Sequence, residues 1–310
     1  MGELKAVAVV GCGAIGSILS LALARSGVRT YVVSRGARSC RKATVSVKGL
    51  GSSLLTVCGW DSADTLSPDV VILATKAYDV EEASSQVVQV GWRPKLVVSA
   101  QNGLGPLEAL ERLFGPQNSA ALVLNVGGYT VGMCAAVHYG GRSAVLGSRS
   151  AGCSAIMEEL ASALSSVLNV ECVSDVEPYR WLKLAANAAI NPVGVFAWSR
   201  NKVVLSDPDA RELASTLAEE VGRVAHHLGI QLPADPVDYT FEVARQTAEN
   251  CNSMVQDISR GKPTEVEYIN GAVWRLSLQT PFNASTNLAV YRTVRLVEKW
   301  LRGRRSPCAT

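Results

Sequence analysis

One stretch near the start limits the fold more than any other. Residues 6–10 (AVAVV) form a short apolar run, as a strand buried on both faces should. Gly11-Cys12-Gly13-Ala14-Ile15-Gly16 follows, a complete G-x-G-x-x-G. Ile15, Ile18, Leu19, Ala22 and Leu23 then recur with helical spacing. The six-residue pattern alone is weak, but a strand before it and a helix after it are what its mechanics require. Gly11 makes the tight turn, and Gly13 lets the backbone approach a pyrophosphate. Gly16 lets the helix pack on the strand, and the helix N-terminus faces the phosphates. The reading is an α/β protein whose N-terminal part is a Rossmann-type, doubly wound parallel sheet, with Gly11, Cys12, Gly13, Ala14, Ile15 and Gly16 against a dinucleotide.

The next strand selects the dinucleotide. An NAD site usually places Asp or Glu about twenty residues on, bonded to the ribose hydroxyls. No carboxylate occurs between Gly16 and Asp61, and the second strand (28–34) ends in Ser34-Arg35. A guanidinium suits a 2′-phosphate through forked, charge-assisted hydrogen bonds. The cofactor expected is NADPH, with Arg35 as main contact and Ser34 a lesser one. Arg38, Arg41 and Lys42 read as solvated charges.

Two further buried strands, 69–75 and 95–100, are followed by Lys76 and by Gln101-Asn102-Gly103-Leu104-Gly105. Ligands of open parallel sheets bind outside the carboxyl ends of the strands. Lys76 and Asn102 sit on that edge and become candidates for the nicotinamide and substrate end. Residues 117–141 carry no aspartate, glutamate, lysine or arginine and are long enough to raise a membrane span. Their aliphatics are broken by turn residues, so paired strands fit better. A helix is expected at 154–168 and a short strand at 170–173, closing the α/β part near 174.

Strand patterning then vanishes. Helices are expected at 177–200, 207–229, 236–258, 264–278 and 284–302. In residues 181–192 (WLKLAANAAINP), Lys183, Asn187 and Asn191 fall on one helical stripe of an otherwise apolar helix. Such groups are costly to bury without partners. Pro192 should kink or end this helix. Asn250, Ser253 and Asp257 form a second stripe. Thr264 reads as an N-cap of the next helix, and Glu265 and Glu267 either serve that helix's dipole or do chemistry.

The 310 residues, 48% hydrophobic and 18% charged, supply core enough for two domains, read as 1–174 and 175–310. A net charge of +3 is too weak to argue for nucleic acid, and the basic Arg302, Arg304 and Arg305 read as a solvated tail. The eight cysteines contain no C-x-x-C pair, which argues against structural zinc. The first strand starts within a few residues of Met1, so no signal peptide is expected. The expectation is a cytoplasmic protein with reduced thiols and no membrane partner; a homodimer is possible, and the sequence does not give the oligomeric state.

The ordered set GCGAIG (11–16), Arg35, TKAYD (75–79), QNGLG (101–105), KLAANAAINP (183–192), NCNSMVQDI (250–258) and TEVEYINGA (264–272) resembles the ketopantoate reductase (2-dehydropantoate 2-reductase) family over nearly the whole chain. The resemblance implies NADPH-dependent reduction of ketopantoate to pantoate, a step of pantothenate and coenzyme A biosynthesis. It implies Lys183 as catalytic acid and Asn102 and Glu265 as groups holding substrate. Both are counted as catalytic and as facing the cofactor. Asn187, Asn191 and Asn250 match substrate-binding amides, Ser253 a carboxylate-binding serine, and Lys76 a lysine near the cofactor. Where the family often has His before Asn-Gly, this chain has Gln101. The alternatives are a related NADPH-dependent 2-oxo acid or β-hydroxy acid oxidoreductase, and a non-catalytic NADPH sensor.

Overall fold

The computed structural model describes residues 4–301. The chain divides into two compact units. The first holds residues up to Gln101 and from Pro106 to Val176. The second holds residues from Glu177 onward together with Asn102–Gly105. The basic tail at Arg302, Arg304 and Arg305 lies outside the described residues.

The first unit runs β1 (Ala6–Val10), α1 (Ala14–Arg25), β2 (Arg29–Val33), β3 (Arg41–Lys48), β4 (Gly51–Cys58), β5 (Val70–Leu73), α2 (Val80–Gln89), β6 (Leu96–Ser99), α3 (Pro106–Phe114), β7 (Ser119–Gly132), β8 (Ala135–Gly147), α4 (Ala155–Leu164) and β9 (Asn169–Val173). The sheet order is β3-β4-β2-β1-β5-β6-β7-β8-β9, with β3 also pairing β8. Strands β4, β2, β1, β5, β6 and β7 run parallel to their neighbours in that order. Alternate residues of the central strands feed two cores. Val7, Val9, Val70 and Ile72 pack with Ile18 and Leu19 of α1 and with Met157 and Leu160 of α4. Ala8, Val10, Val71 and Leu73 pack with Val80 and Val87 of α2 and Leu110 of α3. Helices on both faces leave no solvated side to the central strands, so they read as unbroken apolar runs rather than alternations.

The uncharged stretch over 117–141 holds the whole of β7 and the first half of β8, an antiparallel pair with register shifts near Gly127 and Thr130. Among the described residues, no helix is long and apolar enough to cross a membrane. The hairpin β3–β4 is not among the elements expected from sequence; its antiparallel register runs from Arg41↔Val57 to Val47↔Gly51.

The expectation of reduced thiols is overturned. Cys12–Cys134, Cys40–Cys58 and Cys153–Cys172 are disulfides, Cys251 is disulfide-bonded as well, and no described cysteine is free. The first pair is 122 residues apart in sequence, so spacing could not show it; the fold brings the glycine loop against the β7–β8 turn. Intracellular proteins of hyperthermophilic archaea are also disulfide-rich, so the pairing by itself assigns no compartment.

The second unit comprises α5 (Glu177–Phe196), α6 (Val203–Ser206), α7 (Pro208–His227), α8 (Pro236–Gln246), α9 (Ser253–Ser259), α10 (Asn270–Ser277) and α11 (Ser285–Leu301). Its core is lined by Trp181, Leu184 and Ala189 of α5, Leu217 and Val221 of α7, and Val255, Val273 and Val294. α5 runs through Pro192 to Phe196, inside the span expected for it. Two expectations change. The helix expected over 236–258 is two helices, because Asn252 caps α9 by accepting Val255 N at 3.1 Å. Asn250 therefore lies before the cap and shares no helical stripe with Ser253 and Asp257. The helix expected from 264 starts at Asn270. Thr264 Oγ1 accepts Val266 N at 3.3 Å in a turn rather than capping a helix.

Candidate active site

The glycine loop opens directly from β1. Gly11 has φ +104°, and a Cβ there would lie 2.7 Å from Ala74 O; one at Gly16 would lie 1.9 Å from Gly11 O. Both glycines are demanded by the protein's own backbone. Gly13 is different, since a Cβ there would meet nothing nearer than Thr130 Oγ1 at 3.9 Å. Nothing in the chain excludes a side chain at 13, which fits a position kept clear for a ligand. No side chain caps α1, and its first turn carries no acidic residue. The N–H groups there thus meet an anion without competition. A dinucleotide pyrophosphate fits this cradle of Gly11, Cys12, Gly13, Ala14, Ile15 and Gly16.

Arg35 leaves the end of β2 exposed and forks the carboxylate of Asp79 at 2.6 and 3.3 Å. An exposed ion pair of this kind contributes about 0–1 kcal/mol, so the guanidinium is held in place and cheaply released. Ser34 Oγ accepts Gly36 N at 3.3 Å. Lys76 follows β5 and precedes the short turn Ala77–Asp79. Asp79 closes the TKAYD stretch, yet nothing in its local sequence gives it a part; a pairing across 44 residues leaves no local signal. Gln101 ties the strand ends together, donating from Nε2 to Leu73 O at 2.7 Å and accepting Ser99 Oγ at 2.7 Å.

The second unit holds the chemistry-bearing cluster. Asn102 Nδ2 donates to Glu265 Oε2 at 3.3 Å, and Asn187 Nδ2 donates to Asn102 Oδ1 at 3.5 Å. Asn102 is held there by its own segment. Leu104 N donates to Tyr268 O at 2.8 Å, and a Cβ at Gly103 would lie 2.2 Å from that same oxygen. Only glycine lets the strip lie this close to the 264–269 turn. Loss of hydration lowers the Lys183 ammonium from its ordinary 10.5 to about 8, and the charge of Glu265 opposes that shift. Glu265 is buried, at 5% exposure. Lys183, Asn187, Asn102 and Glu265 are therefore brought together.

Asn191 is buried one turn beyond Asn187 on α5. Ser253 opens α9, and its neighbour Asn252 reaches α5 by donating from Nδ2 to Ile190 O at 3.5 Å. Asn250 lies in the preceding turn, where its carbonyl accepts Asn201 N at 3.0 Å. Glu267 faces elsewhere, bonded by Arg275 and the Tyr291 hydroxyl.

Such a cluster, a lysine of lowered proton affinity beside a buried carboxylate and paired amides, suits polarisation of a carbonyl oxygen. Comparison with known proteins gives the family. The family model described as ketopantoate reductase PanE/ApbA matches residues 7–151, and its C-terminal companion matches residues 175–298. The chain belongs to this family. It is an oxidoreductase of the ketopantoate reductase family. The 2-dehydropantoate 2-reductase of Pyrobaculum aerophilum is 36% identical over 279 residues, covering 89% of this chain and 93% of its own. That of Archaeoglobus fulgidus is 30% identical over 306 residues, covering 96% and 100%. Among solved structures, 2-dehydropantoate 2-reductase from Methylococcus capsulatus aligns with a TM-score of 0.81 at 25% identity, over 98% of this chain and 100% of that one. D-Mandelate dehydrogenase, solved with NADH and anilino(oxo)acetate, shares the fold at TM-score 0.82 and 20% identity, over 96% and 99%.

Proposed function

We propose that this protein reduces 2-dehydropantoate (ketopantoate) to pantoate with NADPH, and that Lys183 is the proton donor. The observation that carries this reading is the Lys183–Glu265–Asn102–Asn187 cluster in a chain of the ketopantoate reductase family. The glycine loop would hold the pyrophosphate, with Arg35 and Ser34 taking the 2′-phosphate and Lys76 near the cofactor. Bound there, the reduced nicotinamide supplies a hydride.

Negative charge grows on the keto oxygen as C2 is reduced. An ammonium facing that oxygen stabilises the transition state more than the ground state, which is what raises a rate. Lys183 can then give up its proton, since an ammonium whose pKa is about 8 is far more acidic than an alcohol. Asn102 polarises the same oxygen. Asn187 and Asn191 orient the substrate along the α5 face. Ser253 and Asn250 take its carboxylate or its tail. Glu265 binds the tail hydroxyl and raises the proton affinity that burial lowers.

The test is loss of NADPH absorbance with ketopantoate and a panel of other 2-oxo acids, run beside NADH. Ketopantoate should be turned over best. Lys183→Ala should lower kcat by roughly 10²–10⁴-fold, the usual worth of a positioned acid, with NADPH affinity nearly intact. Survival of kcat within a few-fold would remove Lys183 from the role. Arg35→Ala should raise KM for NADPH far more than for NADH; equal effects on the two would overturn the phosphate assignment.

A further inference from the structure

Pro192 gives the Lys183 helix a defect that a side chain from another element repairs. A proline nitrogen carries no hydrogen, so the carbonyl four residues earlier, Ala188 O, loses its helical donor; the usual result is a kink. Helix α5 nevertheless continues to Phe196. Asn270 Nδ2 donates to Ala188 O at 2.9 Å and to Asn287 Oδ1 at 2.9 Å. Asn287 Nδ2 in turn donates to Glu220 Oε2 at 2.9 Å. The Glu220 carboxylate accepts the backbone N–H of Thr286 at 2.9 Å and of Asn287 at 2.8 Å. Asn270 and Asn287 are fully buried, and Glu220 is buried too. Asn270 Oδ1 is buried without a hydrogen-bond partner, so the amide is oriented by the two oxygens that its nitrogen reaches.

The place of the repair matters. Ala188 follows Asn187, and the turn it opens closes on Asn191 and Pro192. Lys183, Asn187 and Asn191 stay in line only while that turn stays helical. An ordinary residue at 192 would satisfy Ala188 O from within, and α5 would be restrained there by its own hydrogen bonds alone. Proline hands the carbonyl to Asn270, which fastens this turn to α10 and, through Asn287 and Glu220, to α11 and α7.

We propose that Asn270 is a positioning residue: it supplies the hydrogen bond that Pro192 deletes and so keeps the polar face of α5 in register. Its catalytic consequence rests on the function proposed above; its structural claim does not. The experiment compares full-length wild type, Asn270→Ala, Pro192→Ala and the double variant by amide hydrogen exchange, NADPH affinity and keto-acid turnover. In Asn270→Ala, exchange across residues 184–196 should quicken by about tenfold or more, while exchange in the glycine loop and NADPH affinity stay at wild-type values. The kcat per NADPH-binding molecule should fall by about tenfold or more with KM for NADPH unmoved. Pro192→Ala returns an N–H to Ala188 O, so the double variant should regain most of the protection and of kcat.

Unchanged exchange in α5 would overturn the inference, as would a double variant no better than Asn270→Ala. A fall in melting temperature with kcat per binding molecule unchanged would overturn it too, leaving Asn270 a packing residue. Should Asn270→Ala fail to fold, folding of the double variant supports the inference and its failure refutes it. A wild type that reduces no keto acid would defeat the proposed function alone, because the exchange result still decides what Asn270 does.

Discussion

Lys183 is held at a proton affinity between that of a free lysine and that of a histidine. Its pKa of about 8 is set by lost hydration, with Glu265 pulling the other way. If Lys183 is the proton donor proposed above, the reduction needs its protonated form, and kcat should be level below pH about 8 and fall about tenfold per pH unit above it. Stability should move in the opposite sense. Folding lowers this pKa, so between about 8 and 10.5 the unfolded chain binds more protons and the folded state gains stability as pH rises. A pH–rate profile measured beside melting temperatures checks both. A fall in rate that tracks unfolding would contradict the assignment. The stripe of Lys183, Asn187 and Asn191 was legible because helical spacing depends on local sequence alone. The choice of Glu265 over Glu267 came from the family resemblance, and spacing alone could not make it. These carboxylates lie two residues apart in a turn that precedes α10, and one meets Asn102 while the other meets Arg275 and Tyr291.

At the level of elements, the strand–loop–helix unit was readable because each step has its own residue signature. β1 is wholly apolar, the turn is built on glycine, and Ile15, Ile18, Leu19, Ala22 and Leu23 recur at helical spacing. The three glycines nevertheless differ in what they serve. Gly16→Ala should disrupt the fold of the first unit, since its Cβ meets Gly11 O. Gly13→Ala should fold with a melting temperature within a few degrees of wild type and lose NADPH affinity by about tenfold or more, as a methyl group displaces the pyrophosphate from the backbone. Calorimetric titration with NADPH checks this, and wild-type affinity in Gly13→Ala would remove that glycine from the cofactor site. The hairpin β3–β4 went unread although Val45 and Val47 alternate with polar neighbours ahead of Gly49-Leu50-Gly51. It pairs along β2 and β8 rather than with a sequence neighbour alone, and such partners leave no local trace. The break between α8 and α9 was hidden for a related reason. Its cap is Asn252, and that asparagine sat inside a helical-looking pattern.

Across the molecule, the disulfides set the largest difference between what composition suggests and what the fold does. A cross-link stabilises mainly by restricting the unfolded chain, more so for longer loops. Cys12–Cys134 spans 122 residues and Cys153–Cys172 spans 19. Replacing the first pair by alanines should cost ~5 kcal/mol and the other ~3 kcal/mol on chain entropy, seen as a larger drop in the denaturation midpoint of the first unit. Equal drops would mean that the unfolded chain is already restricted by something else. A final consequence follows from the four residues Asn102–Gly105, which belong to the helical unit although strands of the other unit precede them and α3 follows them. The polypeptide crosses from one body to the other and back before the long helical run begins. Gene truncation at residue 177 would therefore yield a fragment missing an amide of its own chemistry and the backbone rung at Tyr268. Swapping whole halves between homologues at that junction would transplant an incomplete helical unit, and grafts of this kind need the QNGLG strip to travel with the helices it packs with.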